Sequence, residues 1–537
     1  MNKPDDRSSP VFPPLQSLQR RVHPVPRTSA LAVPAGALPA AAPSAVLWLA
    51  IHLPQLALDI ATSAHAERRA CVLSEGEGTR QRIALVNREA ARLGIRPGMA
   101  LGAAHALGEV QVLPRTPAAE EAALARLCAW AAQFTPVISA VAPDALLLEV
   151  RGSLALFGGL HGLLSRLRRG LRELGMQGFA FAAAPTPLAA TWLARGRQTA
   201  AIDALAALPA ALAPLPLDVL RLPLKQLQDF YAIGVYTVGE YLRLPRDGLA
   251  RRFAPELLQA LDRALGREPD PRPTFTPPAR YMERIELLWE VRQIQALTIG
   301  MERLLHELGG VLRARGAVLR GFTWTLHHRD GEALAHRIAL VAPSRDAAHL
   351  TKLTREYFAR RRLPSPVRAI ELSADDFEAE RARAPAIDDL FRRGSVAQGA
   401  EERWPQFLER LQARLGPEAL KQIVALADPR PERAMQALPI GTPLPGSVAA
   451  DSPVRRRRPR PLWLTREPLP LPERNGRPTL GGALTLGLER ERVQGGWWEG
   501  ADLARDYFIA RDPQGTRWWV FRELDGRRGW YLHGVFE

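Results

Sequence analysis

The sequence predicts an α+β multidomain protein, and three observations carry that expectation. Strands and helices alternate from residue 45 to about 200. Long amphipathic helices flank strands between about 280 and 375. The last 75 residues hold 11 of the 35 aromatic residues in short strand-like runs. A chain of 537 residues also suits about three to five domains, at roughly 100–200 residues each.

Residues 1–44 are rich in Pro, Ser and Ala and lack periodicity, which predicts a disordered leader. Pro34, Pro39 and Pro43 break its apolar stretch, so it does not read as a signal peptide. Strand character begins at Ala45-Val-Leu-Trp-Leu-Ala-Ile-His52 and returns at Arg82-Ile-Ala-Leu-Val-Asn87. A short helix then runs over 88–93 to a turn at Gly94. Next come a helix over 118–133, a strand pair over 136–142 and 145–150, and an amphipathic helix over 160–174. A strand over 178–184 and a helix over 187–195 complete the region.

Residues 216–268 change to short helices broken by glycines. In Leu224-x-x-Leu-x-x-Phe-x-Ala-Ile-Gly-Val-Tyr-Thr-Val-Gly-Glu-Tyr-Leu-x-Leu-Pro245, Gly234 permits a tight turn and Gly239 lies near the second helix's start. The pattern is that of a helix-hairpin-helix, whose backbone N–H groups at a helix N-terminus meet a DNA phosphate without reading sequence. Gly234, Val235 and Gly239 are then candidate DNA contacts, with Arg243, Arg251 and Arg252 beside them. The bland alternative is a helical hairpin whose glycines serve only close packing. Farther on, helices over 293–315 and 345–361 flank strands over 317–327 and 367–372, and Arg329-Asp-Gly331 suits a hairpin turn. A Pro/Arg-rich linker spans 429–461 and includes Arg455-Arg-Arg-Arg-Pro-Arg460. Strands over 507–510, 518–523 and 530–535 then predict a small β module.

Composition narrows the function. Lys+Arg 72 against Asp+Glu 56 gives +16, which favours a polyanionic partner such as nucleic acid. Only Lys3, Lys225, Lys352 and Lys421 are lysines, and they precede Pro, Gln, Leu and Gln. A P-loop needs Lys followed by Ser or Thr, so this chain carries none. Cys71 and Cys128 alone make no zinc site or disulfide framework, and two free thiols suit a cytoplasmic protein. No apolar run reaches the roughly 18 residues of a membrane span.

The order of motifs carries a resemblance. The first strand is followed by Asn87-Arg-Glu-Ala-Ala-Arg-Leu-Gly-Ile-Arg-Pro-Gly-Met99, Ala142-Pro-Asp-Ala-Leu-Leu-Leu-Glu149, Ala184-Pro-Thr-Pro187 and the helical hairpin. This order resembles a Y-family translesion DNA polymerase. The tail, with Gly496-Trp-Trp-x-Gly500, Ala504-Arg-Asp-Tyr-Phe508 and Trp530-Tyr-Leu-His-Gly534, is similar more narrowly to the polymerase-like subunit of a bacterial mutagenesis complex. The resemblance implies a Y-family polymerase-like right hand with a β-rich C-terminal module. Palm and fingers would span 45–215, a helix-hairpin-helix thumb 216–275 and a little finger 276–378. A linker over 379–461 would lead to a partner-binding module over 462–537.

The resemblance also implies what has been lost. Y-family enzymes hold two metal ions with one Asp on the first strand and an Asp-Glu pair on a later hairpin. Here Ala50 stands at the first position, His52 at its near neighbour, and Ala145 in place of the Glu. Asp144 alone survives, and one carboxylate cannot hold two Mg²⁺ ions. The family's triphosphate-contacting Tyr-Glu-Ala-Arg has become Arg88-Glu-Ala-Ala91, and its lysine-presenting stretch has become Thr186-Pro-x-x-Ala-Thr191. The expectation is a vestigial site with no catalytic residue, no metal and no cofactor. The rival is an active translesion polymerase with displaced ligands at Asp59, Asp144 and Glu149.

Binding functions remain. Arg360-Arg-Arg362 of the little finger either touches DNA phosphates or is a solvated charge run. Ala386-Ile-Asp-Asp-Leu-Phe391 resembles a sliding-clamp peptide, with Ile387 at the Gln position and Leu390 and Phe391 as anchors, although Asp388 replaces its first Leu. An ordinary helix end is the alternative. Trp497, Trp498 and Trp530 are candidate partner contacts in the tail, or the core of a small domain. The implied role is a noncatalytic adaptor that binds primer-template DNA and the sliding clamp. It would recruit an error-prone DNA polymerase III alpha-type subunit and a RecA-like accessory protein.

Overall fold

Strand β1 (Trp48–His52) lies inside a four-stranded antiparallel sheet of order β5-β6-β1-β7 in this computed structural model. The structure describes residues 45–62, 69–76, 78–253, 255–380, 398–416, 418–426, 428–442, 459–496, 500, 503–525 and 528–536. The expected leader over 1–44 lies outside them, as do Ile387, Leu390, Phe391, Trp497, Trp498 and most of the Arg455–Arg460 run. Strands β5 (Ile138–Val141), β6 (Ala145–Glu149) and β7 (Ala180–Ala184) complete this palm sheet, with Ala50 opposite Leu147 and His52 opposite Ala145.

Alternation along β1 divides its side chains between two cores. Leu49 and Ile51, with Leu146 and Leu148, pack beneath helices α4 (Pro117–Ala131) and α6 (Gly159–Glu173). On the other face Ala50, Leu147, Ala182 and Ala184 meet α7 (Pro187–Arg195) and the thumb helices that follow. Small side chains on that face let the thumb share one apolar core with the palm.

Before α4 the chain makes α1 (Leu56–Thr62) and a three-stranded fingers sheet of order β3-β2-β4. Its strands are β2 (Cys71–Glu75), β3 (Arg82–Val86) and β4 (Gln111–Pro114); α2 (Arg88–Arg92) and α3 (Leu101–His105) lie between the last two. The sequence reading found only β3 of these strands. Strand β2 pairs β4 in parallel, so its stability comes from residues about forty positions away.

A short α5 (Leu154–Phe157) precedes α6. The thumb is built from α8 (Leu208–Leu212), α9 (Leu224–Ala232), α10 (Val238–Leu242), α11 (Arg246–Arg252) and α12 (Pro255–Ala264). The chain then runs past β5, with the Phe275 N–H donating to the Ile138 carbonyl at 2.8 Å, into the little finger. There β8 (Tyr281–Val291), β9 (Ala317–His328), β10 (Leu334–Ser344) and β11 (Val367–Ala374) form a sheet of order β10-β9-β11-β8, and β12 (Phe377–Ala379) pairs β9. Helices α13 (Ile294–Arg315) and α14 (Ala347–Phe358) contribute to its core.

Helix α13 also packs on α4 of the palm, and Trp130 is the knob of that contact. A methyl group on Gly310 would come 2.3 Å from the Trp130 ring, and one on Gly170 of α6 would meet its opposite edge at 2.3 Å. Two glycines on separate helices thus make the slot for one indole.

The expected linker over 379–461 is corrected in part. It contains α15 (Gln398–Leu415) and a hairpin of β13 (Lys421–Ala425) and β14 (Met435–Pro439). Buried Glu409 of α15 accepts from His349 at 2.6 Å and from the Val341 and Ala342 N–H groups at 2.7 and 3.2 Å. Tertiary contacts therefore hold a helix in a stretch whose composition suggested none.

The C-terminal module is a five-stranded sheet of order β15-β21-β20-β19-β18, larger than the three strands expected. It comprises β15 (Trp463–Leu471), β18 (Thr485–Gly495), β19 (Leu503–Arg511), β20 (Arg517–Glu523) and β21 (Trp530–Val535), with a small pair β16 (Glu473–Arg474) and β17 (Arg477–Pro478). Trp530, a candidate for either a partner contact or the module's core, is buried against Phe508, because β21 turns its indole into the core. No helix among the described residues is long and apolar enough to cross a membrane.

Candidate functional site

Asp144 lies in the turn between β5 and β6, next to Ala145, which pairs with His52 on β1. Its Oδ2 meets His52 Nε2 at 3.2 Å and accepts a hydrogen bond from the Arg221 guanidinium. Burial works to raise the Asp144 pKa, yet the hydrogen bonds and charges of His52 and Arg221 hold it below the usual carboxylate value. Arg221 belongs to the loop entering the thumb. A second arginine reaches the same loop, since Arg195 at the end of α7 donates from Nη1 to the Val219 carbonyl at 3.2 Å. Burial, with Arg221 and Arg272 nearby, lowers the Arg195 pKa to about 10.

This donor set does not fit a pair of metal ions. The strand position at Ala50 offers a methyl group wholly buried against the thumb core, and Ala145 is equally closed. Asp144 alone supplies a carboxylate, and its outward oxygen is engaged by a guanidinium. The other two carboxylates of the rival ligand set lie apart. Glu149 Oε1 accepts from the Leu47 and Arg151 N–H groups at 3.1 and 3.0 Å, and Asp59 Oδ2 accepts from the Gln177 N–H at 3.0 Å. Among the described residues, no group of three or more His, Cys, Asp or Glu could hold a metal ion.

The positions that the resemblance ties to nucleotide handling serve local structure. The Thr186 hydroxyl accepts from the Ala189 N–H at the start of α7 and donates to the Ala264 carbonyl at 2.7 Å. Thr191 donates to the Pro187 carbonyl one turn back. Asn87 caps α2, the helix that holds Arg88-Glu-Ala-Ala91.

In the thumb hairpin, Gly234 has φ +79°, which turns the chain between α9 and α10. Gly239 sits so close to Ala213 that a methyl group there would lie 2.9 Å from its carbonyl oxygen. The backbone donors expected to face phosphate are engaged inside the fold. The Val235 N–H donates to Phe230, Val238 to Leu215 and Gly239 to Ala213. The Glu240 carboxylate takes the Tyr236 and Thr237 N–H groups in a capping box. What the hairpin offers outward is side chains: Arg243, Arg251 and Arg252 are exposed. Arg246 is tied to Asp262. Arg360, Arg361 and Arg362 are exposed on the little finger, with Arg361 over the Tyr357 ring at 4.0 Å.

A second charged cluster lies at the junction of palm and little finger. Arg126 of α4 is 3.7 Å from Glu283 of β8 and from Glu307 of α13, and Arg303 of α13 donates to the Asp59 carbonyl at 3.5 Å. Burial pushes the Asp59 carboxyl up to about 6 and Glu283 to about 7. The cluster borders a cavity of about 420 Å³ lined by apolar residues including Ile60, Leu73, Leu113 and Leu287. Sequence reasoning missed Arg126, Arg195, Arg221 and Arg303, because single arginines in an arginine-rich chain carry no spacing signal.

The impB/mucB/samB family, described as IMS, matches residues 61–195. That match supports a Y-family-like protein. A curated relative is similar over a longer stretch. Protein ImuB of Caulobacter vibrioides, in strains NA1000 and CB 15, is 28% identical over 468 residues, covering 83% of this chain and all of that protein. Among solved structures, the Y-family DNA polymerase chimera Dbh-Dpo4(243-245)-Dbh is 16% identical, covers 61% of this chain and 98% of that one, and has a TM-score of 0.36. DinB from Sulfolobus solfataricus is 16% identical over 62% of this chain and 99% of that one, with a TM-score of 0.35.

Proposed function

We propose that this chain is a noncatalytic adaptor in damage-induced translesion DNA synthesis. The observation that carries the proposal is the state of Asp144, which has alanine at both companion positions, Ala50 and Ala145, and is engaged by His52 and Arg221. A polymerase palm needs that carboxylate free, with at least one more beside it, to hold metal ions for phosphoryl transfer. The adaptor needs none of this chemistry. Its tasks are to grip primer-template DNA through the exposed arginines of the thumb and little finger, and to engage the sliding clamp through Ile387, Leu390 and Phe391. The C-terminal module would recruit an error-prone DNA polymerase III alpha-type subunit and a RecA-like accessory protein. Holding several partners on one chain raises the polymerase's effective concentration at a stalled primer end.

Primer extension by the purified protein tests the reading, with Mg²⁺ or Mn²⁺ on undamaged and lesion-bearing templates. The expected result is primer-template binding without extension. Extension that Asp144→Ala abolishes would make the chain a polymerase with displaced ligands. Clamp binding is tested separately by changing Leu390 and Phe391 to Ala, which is expected to abolish it.

A further inference from the structure

We propose that the Arg221 guanidinium stands where a metal-bound palm would carry cations and thereby fastens the thumb's entry loop to the palm. The surviving Asp144 is, on this reading, an anchor for the thumb. This inference does not depend on the adaptor role, since an intramolecular tie can exist whatever the protein recruits.

Two palm elements hold the same seven-residue loop, 217–223. Asp144 takes the Arg221 side chain, and Arg195 of α7 holds the Val219 carbonyl. The loop is closed on its thumb side as well. Its Leu217 N–H donates to the Tyr236 carbonyl at 3.0 Å, and the Tyr231 hydroxyl donates to the Asp218 carboxylate. Loop 217–223 is therefore the strap between two bodies, with hydrogen bonds running to each.

The backbone at Arg221 points the same way. Its φ of +53° and ψ of +47° are left-handed, a conformation a residue with a side chain adopts when surrounding contacts hold it. That turn directs the guanidinium back to Asp144, 77 positions earlier in the chain. His52 buttresses the same oxygen from β1, and its side chain is only 9% exposed. Charge bookkeeping explains the exchange of partners. A half-buried carboxylate needs a cation, and where ligands for metal are missing a guanidinium meets that need with directed hydrogen bonds.

Hydrogen exchange on the full-length protein tests the tie. Arg221→Ala is expected to speed amide exchange in residues 217–232 by about tenfold, leaving the little-finger strand 317–328 unchanged. Asp144→Ala should do the same. The double variant should exchange no faster than Asp144→Ala, because that change already removes the Arg221 bond along with the His52 one. Unchanged exchange in 217–232 after Arg221→Ala, or effects that multiply in the double variant, would overturn the proposal. Should Asp144→Ala fail to fold, Arg221→Lys decides alone. It keeps the charge without the fork and should exchange at a rate between wild type and Arg221→Ala; a wild-type rate in both Arg221 variants refutes the tie.

Discussion

The palm meets the little finger and the thumb at two junctions, and an aspartate near arginine marks each, with opposite results. At the little-finger junction Asp59 is buried, and its carboxylate accepts from the Gln177 and Gly178 backbone N–H groups while Arg303 bonds the Asp59 carbonyl. Burial prevails there, and the carboxyl is pushed up to about 6. At the thumb junction Asp144 is less enclosed, and two side chains bond its carboxylate directly. Its pKa falls. The difference teaches that a neighbouring charge keeps a carboxylate ionised when it donates to that carboxylate, and does far less when it only lies close.

The largest test of the contrast is Trp130→Ala. Trp130 is buried and close-packed against α13, so losing the indole from its two-glycine slot should cost about 3–5 kcal/mol, read from urea unfolding. Next comes Asp59→Asn. A carboxyl moved from 3.8 to about 6 costs the folded state about 3 kcal/mol at neutral pH, so an uncharged amide there should stabilise by about 1–3 kcal/mol. The sign follows from the raised value: Asp59's contribution is fully present below 3.8 and is lost as the pH rises through 6. The gain from Asp59→Asn should accordingly vanish in unfolding curves at about pH 3. A destabilising Asp59→Asn at pH 8 would break the comparison.

At the thumb junction, His52→Ala removes one of two donors to Asp144 and should cost about 1–2 kcal/mol. A loss greater than that of Trp130→Ala would reverse the ranking of the two junctions. The smallest stability effect belongs to Arg251→Ala with Arg252→Ala, both exposed, at under about 0.5 kcal/mol. The same pair should still flatten the salt dependence of DNA binding, by about 0.9 in the logarithmic slope for each phosphate no longer neutralised.

Much of the palm was legible because its signals are local. The apolar run before His52 forms β1, and the helix expected over 187–195 begins where Thr186 caps it. Strands β2 and β4 were not legible, since each is short and completed by the other across the intervening fingers residues. Helix α15 was hidden because its anchor, Glu409, reads as one more acidic residue in a polar stretch. At the site, motif order pointed to Ala50, Asp144 and Ala145, but not to what had moved in beside them. Arg221 lies 77 positions from Asp144, and no spacing rule connects a left-handed loop residue to a distant turn. The hairpin glycines were placed correctly in the turn and at the helix start, yet their surroundings absorb the N–H groups that the motif would offer to phosphate.

Strand β10 ends the little-finger sheet, and its register shifts between Ala339 and Ser344, where β9 no longer answers each residue. An open sheet border with bare N–H groups is a template on which a foreign strand can add. The Glu409 carboxylate fills two of those vacant bonds at Val341 and Ala342, and α15 lies along the same border. Helix α15 therefore covers part of that border. Truncation before residue 398 is expected to leave those N–H groups open and raise the fragment's tendency to associate, read by light scattering.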